Sequence, residues 1–170
     1  GYLGYYLEDF AIEEGEILEF SYEMGVLENH YPSDNMYTFG CEEGDYIDDF
    51  EFGMISNLDS GCSNDDTGYG LFTDMITDVT ALEEYTMTVS AEHDNCWFRA
   101  WIDLNDCYHM YNPEELVAGP FLLEEAGVSY EVPVNIPLFG EEGEHLMRIR
   151  IVRDVEDFGC YGIQQYGEIE

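Results

Sequence analysis

The sequence contains no lysine, and its only basic side chains other than histidine are four arginines. They face 39 Asp and Glu residues, which gives a formal net charge of −35 and an isoelectric point near 4.1. Nucleic-acid binding needs clusters of Lys and Arg that release counterions from phosphates, so this charge excludes a nucleic-acid partner. It also opposes binding to an anionic membrane surface. An acidic, solubilising surface without a specific ligand is the simplest interpretation, and divalent cations or high salt are compatible with it.

Long apolar runs are missing as well. No stretch approaches the ~20 apolar residues that a membrane-spanning helix needs, so no membrane insertion is predicted. No basic segment followed by an apolar one opens the sequence, so it carries no signal peptide. The sequence starts at Gly1 rather than Met, which suggests a processed chain and fits export. We therefore expect an extracellular protein.

The five cysteines include no C-x-x-C pair, which argues against a zinc ribbon or a thioredoxin-like site. In an exported protein such cysteines are expected to form disulfides. We predict two disulfides and one remaining thiol, with the pairing left open because spacing does not determine it. The candidates are Cys41, Cys62, Cys96, Cys107 and Cys160.

The dominant pattern in the chain is an alternation of apolar and polar residues. A period of two is typical of half-buried β-strands. One run, Cys96–Leu104, is apolar on both faces and predicts a central strand that is covered on both sides. The alternating runs are Glu16–Met24, Tyr46–Ile55, Tyr85–Ser90, Val128–Ile136 and Met147–Ile151.

Two local features modify this pattern. Pro133 lies inside one run and indicates an edge strand or a bulge, because proline cannot donate to a ladder. The segment Glu114–Leu123 allows a helical turn that the Gly119-Pro120 pair cuts short. Many short strands separated by turn-forming clusters predict an all-β fold, an antiparallel β-sandwich of jelly-roll or immunoglobulin-like type.

We divide the chain into three parts. Residues 1–27 form an N-terminal extended segment, and residues 28–44, rich in Asn, Pro, Ser, Asp and Gly, connect it to the remainder. Residues 45–170 form the predicted sandwich.

Six short motifs follow one another in an order that resembles a known family. The closing run Tyr166-Gly167-Glu168-Ile169-Glu170 resembles the Gly-Glu-Val-Glu-Asp motif that names the GEVED domains of secreted bacterial surface proteins. The match covers roughly residues 40–170. The other five motifs are Ile55-Ser56-Asn57, Ser60-Gly61-Cys62, Gly68-Tyr69-Gly70-Leu71-Phe72-Thr73, Trp101-Ile102-Asp103-Leu104-Asn105 and Met147-Arg148-Ile149-Arg150-Ile151.

The resemblance implies a β-sandwich, secretion, and a place in adhesive or accessory modules at the bacterial cell surface. It implies no catalytic activity. Carried over by position, the family residues are Trp101, Asp103, Arg148, Arg150, Gly167, Glu168 and Glu170.

The sequence departs from the family in a stretch that resembles a calcium loop. Family members commonly have D-x-N-x-D-G after the Trp-Ile-Asp strand. Here Asp103 and Asn105 are kept, but Cys107 and Tyr108 replace the second Asp and the Gly. A thiol does not suit a hard cation. The resemblance therefore implies at most a weak calcium site, to which Glu115, at the position of the family's later acidic residue, adds a third ligand.

The second departure is at the C-terminal end of the sequence, which does not include the apolar strand that follows the motif in the family. A sandwich without that strand exposes an unpaired edge. Residues 2–12 are almost uncharged, and fully extended they reach ~36 Å. We expect this segment of one copy to fill the groove of the next, which would build a filament. Pairing within its own domain, or a truncated chain, are the alternatives. The apolar residues of this assembly strand are Tyr2, Leu3, Tyr5, Tyr6, Leu7, Phe10 and Ile12.

Other functions leave weaker signals. Adjacent carboxylates are inevitable with 39 acidic residues, and the histidines lack H-x-x-x-H spacing, so we predict no enzyme. Carbohydrate binding is the alternative function, because the chain has 14 Tyr, 10 Phe and 2 Trp. Tyr108 and Tyr111 are the candidate sugar contacts, whereas Trp97 and Trp101 are assigned to the core. Arg148 and Arg150 are expected to be buried or to pair with carboxylates.

Overall fold

A computed structural model of the chain describes residues 36–62, 68–107, 109–138, 140 and 142–170. The assembly strand 2–12, the run Glu16–Met24 and Tyr108 lie outside this part. Within it the chain forms nine strands and one turn of 3-10 helix, Pro113–Glu115. The strands are β1 (Tyr37–Gly40), β2 (Ile47–Phe52), β3 (Ile55–Asn57), β4 (Glu84–Ala91), β5 (Cys96–Ile102), β6 (Leu116–Leu123), β7 (Tyr130–Asn135), β8 (Met147–Arg153) and β9 (Gln164–Ile169).

The nine strands form one curled, mixed sheet in the order β1-β9-β8-β5-β6-β7-β4-β2-β3. The all-β prediction is confirmed. The prediction of a purely antiparallel sheet is wrong at one edge, because β1 runs parallel to β9. The ladders join every strand into a single sheet, so a sandwich of two separate sheets stays a prediction. The β6–β7 ladder has only the Ala118–Val134 pair, and it joins the β5–β8 side to the β4–β2 side.

Apolar residues from both sides of this junction share one core. Phe50 of β2, Met87 of β4 and Val132 of β7 pack in the same cluster as Phe98 of β5 and Ile151 of β8. The sheet therefore curls around its main core. A second, smaller cluster lies on the opposite face of β5, β8 and β9, where residues 154–163 cover it.

The central strand predicted at Cys96–Leu104 is confirmed as β5. It lies between β6 and β8, and its side chains enter both cores. Phe98 and Ala100 belong to the main cluster, and Trp101, only 4% exposed, belongs to the second. A strand covered on both faces takes apolar residues on both, and β5 follows this pattern at every position except Arg99.

Three sequence-based expectations are corrected. The run Tyr46–Ile55 is a hairpin, because Gly53 adopts a positive φ of 59° and ends β2, which leaves Met54 exposed. The segment Glu114–Leu123 is mainly a strand: one 3-10 turn ends at Glu115, and β6 then runs through the Gly119-Pro120 pair. The edge strand predicted from Pro133 is wrong, because Pro133 lies in β7, an inner strand between β6 and β4, next to the single-pair junction with β6.

The N-terminal side of the sheet is fixed by a disulfide. Cys41 and Cys62 are bonded, with their Cα atoms 5.6 Å apart. The prediction of two disulfides is wrong, because Cys96, Cys107 and Cys160 are free thiols. Cys96 and Cys160 are buried in different clusters on opposite faces of the sheet, while Cys107 is exposed, so these three cannot readily pair. Strand β1 lies inside the segment 28–44 that was expected to connect.

No helix in the described part is long and apolar enough to cross a membrane.

Candidate functional site

Arg150 occupies the centre of the second cluster. Its side chain is fully buried, and its Nε donates to the Tyr37 hydroxyl at 2.8 Å. The two terminal nitrogens donate to the carbonyls of Gly159 and Gly162, each at 2.8 Å. The expected carboxylate partner is therefore replaced, among the described residues, by carbonyl oxygens and a phenol. Arg150 ties β1 and the loop 154–163 to β8.

The other arginines are also turned inward. Arg148 is buried, with its guanidinium 5.2 Å from the centre of the Tyr161 ring. Arg99 donates to the Phe158 and Glu156 carbonyls. Arg153 forms an ion pair with Asp45, which is itself fully buried. Because every arginine of the sequence is held inside or at the margin of the fold, almost no positive charge is left for its surface.

The closing run of the sequence, residues 166–170, includes the end of β9, where one backbone position requires glycine. Gly167 has a φ of 145°, and a Cβ there would lie 2.2 Å from the Ile151 carbonyl oxygen and 2.6 Å from the Tyr37 ring. The close approach lets the Tyr37 hydroxyl reach the carbonyls of Ile151 and Glu168, at 2.9 and 2.8 Å. No side chain fits at Gly167 without moving β8 or β1.

The two glutamates of the motif point to the main-core face, because residues two apart on a strand share a face. Glu168 is fully buried, and its Oε2 accepts from the backbone N–H of Ile47 at 2.8 Å. Glu170 accepts from the Asn57 side chain at 3.4 Å. Since Ile47 begins β2 and Asn57 ends β3, the two carboxylates connect β9 to the far end of the curled sheet.

Glu170 sits in an unusual electrostatic environment. Burial, and then the neighbouring Glu168 carboxylate, raise the pKa of Glu170 to about 8, against the opposing hydrogen bonds from Asn57 and Ser60. Its Oε1 is buried and has no hydrogen-bond partner among the described residues. This carboxyl group is therefore poised to be neutral at pH 7.

Beside Glu170 lies an open cleft with a volume of about 1360 Å³. Its inner walls are apolar and come from the β2–β3 hairpin on one side and from β5 and β8 on the other. Residues 70–81, which we call the strap, run along it, held to β9 by a bond from Gly70 to Ile169 and to the hairpin by Thr77. Exposed apolar side chains surround its mouth: Leu71, Ile76 and Leu138, at 59, 60 and 78% exposure.

The cleft continues the line of β9. The ladder between β8 and β9 ends where Ile149 and Glu170 exchange both backbone hydrogen bonds, at 2.8 and 3.0 Å. The next residue of β8 whose backbone points to this side is Met147, since such positions alternate along an antiparallel strand. Met147 lines the cleft. The cleft thus combines apolar walls with the β8 backbone beyond the last pair that the described residues form between β8 and β9.

The three residues implied as a calcium site lie together, and we call them the loop cluster: Asp103, Asn105 and Glu115. The Asn105 amide donates to Glu115 Oε1 at 2.6 Å, and the Asn112 backbone N–H donates to Oε2 at 3.1 Å. The Cys107 backbone N–H approaches the side-chain oxygens of Asp103 and Asn105. Burial, and more weakly Asp103, raise the pKa of Glu115. Protein donors hold these oxygens, which favours a structural role for the cluster.

Two further clusters could in principle offer ligands to a metal ion. Asp45, His93 and Cys96 lie close together, but Arg153 already occupies Asp45, and burial raises the pKa of the Cys96 thiol to about 12. A separate group of three aspartates lies at the surface: Asp48, Asp49 and Asp59. Neither cluster has a feature that points to a bound ion.

An aromatic group lies near the loop cluster in the chain. Tyr111, 69% exposed, stacks on His109 with ring centres 5.7 Å apart and contacts Tyr161 at 4.7 Å. The Tyr161 hydroxyl accepts from the Met110 backbone at 3.0 Å, which fixes that ring. Of the two tyrosines singled out from the sequence, Tyr111 is thus part of a supported aromatic surface, and Tyr108 is outside the described residues.

Sequence reasoning missed three features of this region. Tyr37 and the loop 154–163 enclose Arg150, and the glutamates of β9 reach across to β2 and β3. For the enclosure of Arg150, the sequence offered one signal, the scarcity of arginine, which predicted that the arginines are buried or paired. The residues that line the cleft left no signal in the sequence, because they come from strands far apart in the chain.

Comparison with known proteins identifies no relative of this chain. No family model matches the chain, and neither the curated proteins nor the solved structures include a match.

Proposed function

We propose that this chain is a non-enzymatic, extracellular structural protein of the GEVED kind, located at a bacterial cell surface. In this proposal it builds filaments by strand complementation, with residues 2–12 of one copy filling the cleft of the next. The observation that carries the proposal is the apolar cleft of about 1360 Å³ that continues the line of β9.

The shape of the cleft favours a strand over a small ligand. Pockets for small molecules usually measure ~300–1,000 Å³, and this cleft is larger. A strand lying along Met147 would extend the β8 ladder with main-chain hydrogen bonds, and its alternate side chains would enter the apolar walls. Addition of a strand to an open edge is a common mode of peptide recognition.

The composition of the chain favours its own N-terminal segment as the occupant. Residues 2–12 contain seven large apolar residues and only two charges, Glu8 and Asp9. The cleft and this segment lie on different parts of the chain, so the contact is heterologous, and in this proposal its rotation leaves the assembly open rather than closing a ring. A copy that filled its own cleft would instead remain a monomer, which the experiment below distinguishes.

Charge repulsion sets the conditions for assembly. Each copy carries a formal charge of −35, and its arginines are held inside. The Debye length falls from ~10 Å at 0.1 M ionic strength to ~3 Å at 1 M. We therefore expect filaments to form more readily as salt is raised.

The test uses two variants of the full chain that each lose one half of the contact. An acceptor variant carries Ile76→Asp and Leu138→Asp at the mouth of the cleft, and a donor variant carries Leu7→Asp and Phe10→Asp. We expect wild type to form filaments at high salt, by sedimentation velocity and negative-stain microscopy, and each variant to stay monomeric. Mixing the two variants should give a 1:1 dimer, because one cleft and one strand remain intact.

The matched control is Ile163→Asp, at a residue that is 71% exposed and does not line the cleft. This variant should assemble like wild type. A wild-type protein that is monomeric at every concentration and salt would overturn the proposal, as would an acceptor variant that still forms filaments.

Carbohydrate binding is a second candidate, supported by the aromatic group at Tyr111. Exposed aromatic faces pack against the apolar faces of sugar rings, and the Tyr161 and His109 contacts hold this one in place. A glycan array should show binding by wild type that Tyr111→Ala abolishes. The control is Phe39→Ala, an exposed aromatic residue on β1 that should leave binding unchanged. Equal signals for all three proteins would rule this function out.

A further inference from the structure

The carboxyl group of Glu170 lies at the inner end of the cleft. One of its oxygens is buried without a partner among the described residues, and the other accepts from the neutral Asn57 side chain. The Cγ atom lies close to the strap, 3.4 Å from where a Cβ on Gly70 would be. Any strand that continues the line of β9 must therefore cover this carboxyl group.

The charged groups around Glu170 do not offer it a cation from the main-core face. Glu168 precedes it on the same face of β9, and Asp78 lines the cleft from the strap. The β8 side contributes Arg148, whose guanidinium contacts Cys160 and Tyr161 on the opposite face of the sheet. The remaining ionisable residues that line the cleft are Tyr69, Glu142, Glu144 and His145.

We propose that Glu170 is a proton-dependent gate of the cleft, so that docking of a neighbour's strand requires this carboxyl to be protonated. The inference rests on the proposed strand complementation. A docked strand removes the water that remains around the group, and burying an unpaired carboxylate is costly. The protonated form is neutral, and its O–H can donate to a carbonyl of the incoming strand.

The direction of the pH dependence follows from linkage. With an empty cleft, burial and Glu168 already raise the pKa of Glu170 to about 8. Docking raises this pKa further, so docking takes up a proton wherever the empty form is ionised. The association constant should be flat below pH 7 and should fall about tenfold between pH 7 and pH 9.

The experiment measures assembly of the full chain by sedimentation velocity from pH 6 to pH 9 at constant high salt. Glu170→Gln keeps the shape and removes the titration, so its assembly should be independent of pH. Glu144→Gln removes the same charge from an exposed position at the cleft, and it should retain the wild-type profile. A second readout is proton uptake on assembly in weak buffer at pH 9, which should approach one per subunit for wild type and zero for Glu170→Gln.

The possible failures are distinguishable. If wild type assembles with no pH dependence, or if Glu170→Gln keeps the tenfold fall, the gate is wrong and strand complementation stands. If Glu170→Gln does not fold, absence of proton uptake by wild type overturns the gate by itself. If wild type stays monomeric at every pH, both proposals are overturned.

Discussion

Replacing Arg150 by Met should remove a large part of the stability of this fold. Methionine keeps an unbranched side chain of similar length, so most of the packing in the second cluster is retained. The guanidinium is lost, and with it three hydrogen bonds of 2.8 Å to the Tyr37 hydroxyl and to the Gly159 and Gly162 carbonyls. The loop 154–163 and strand β1 lose their common anchor.

The expected loss in the free energy of unfolding follows from the number and burial of these hydrogen bonds. A hydrogen bond that involves a charged group contributes ~1.5–3 kcal/mol, and three of them are opposed by the cost of burying the guanidinium. A buried acceptor that loses its donor typically costs ~1–3 kcal/mol, and Arg150→Met leaves three such acceptors, so we expect a loss of ~3–5 kcal/mol once the relieved cost of burying the guanidinium is subtracted. A domain of this size has a free energy of unfolding of ~5–15 kcal/mol, so the variant should lose about a fifth of it or more.

Urea unfolding, followed by tryptophan fluorescence, measures this loss, since Trp101 lies in the same cluster as the bonds. With a slope of ~1–3 kcal/mol per molar urea, the midpoint should fall by about 1–5 M. Arg99→Met is the graded control, because Arg99 binds two carbonyls from a partly exposed position, and its loss should be smaller. A loss below ~1 kcal/mol for Arg150→Met, or a larger loss for Arg99→Met, would refute this account of Arg150.

Three further outcomes are expected. Gly167→Ala should lower the free energy of unfolding in urea by more than ~2 kcal/mol, because the added Cβ would clash with the Ile151 carbonyl oxygen. The control Gly143→Ala, which has open space around it, should change this free energy by no more than ~0.5 kcal/mol. Equal effects of the two substitutions would contradict the steric argument. Replacing Cys41 and Cys62 together by Ser should lower the free energy of unfolding by ~3 kcal/mol, because the disulfide closes a loop with a sequence separation of 21. Reduction of the wild-type disulfide should lower it by the same amount. An unchanged urea midpoint would show that the disulfide does not contribute to stability. Calcium at ~5 mM should shift the melting temperature by less than ~1 °C, because hydrogen-bond donors of the protein already occupy the oxygens of the loop cluster. A rise of several degrees that Glu115→Gln abolishes would instead establish a calcium site.

The sequence predicted five of the nine strands of the described residues, and which of their side chains share a face. Alternation with a period of two predicted β2, β4, β7 and β8, and the doubly apolar run predicted β5 at the centre. The strand prediction succeeds because each position of a strand faces either the core or the solvent, so apolar and polar residues alternate along the sequence. The scarcity of arginine likewise predicted burial or pairing, and Arg150 is fully buried.

The sequence did not determine which strands pair. The parallel β1–β9 ladder joins residues about 125 positions apart in the chain, such as Gly40 and Tyr166, and no local pattern encodes such a contact. The hairpin at Gly53 and the strand through Gly119-Pro120 were missed for a related reason, since neighbouring strands override the local preference.

Only the tertiary structure decided the properties of the closing motif. In the sequence Glu168 and Glu170 are two acids among 39, alike in every local respect. In the fold one carboxylate is satisfied by the Ile47 backbone, and the other keeps an oxygen buried without a partner beside an apolar cleft. The difference arises because the pKa of a carboxyl group depends on the water and charges that surround it, and the curl of the sheet sets those surroundings.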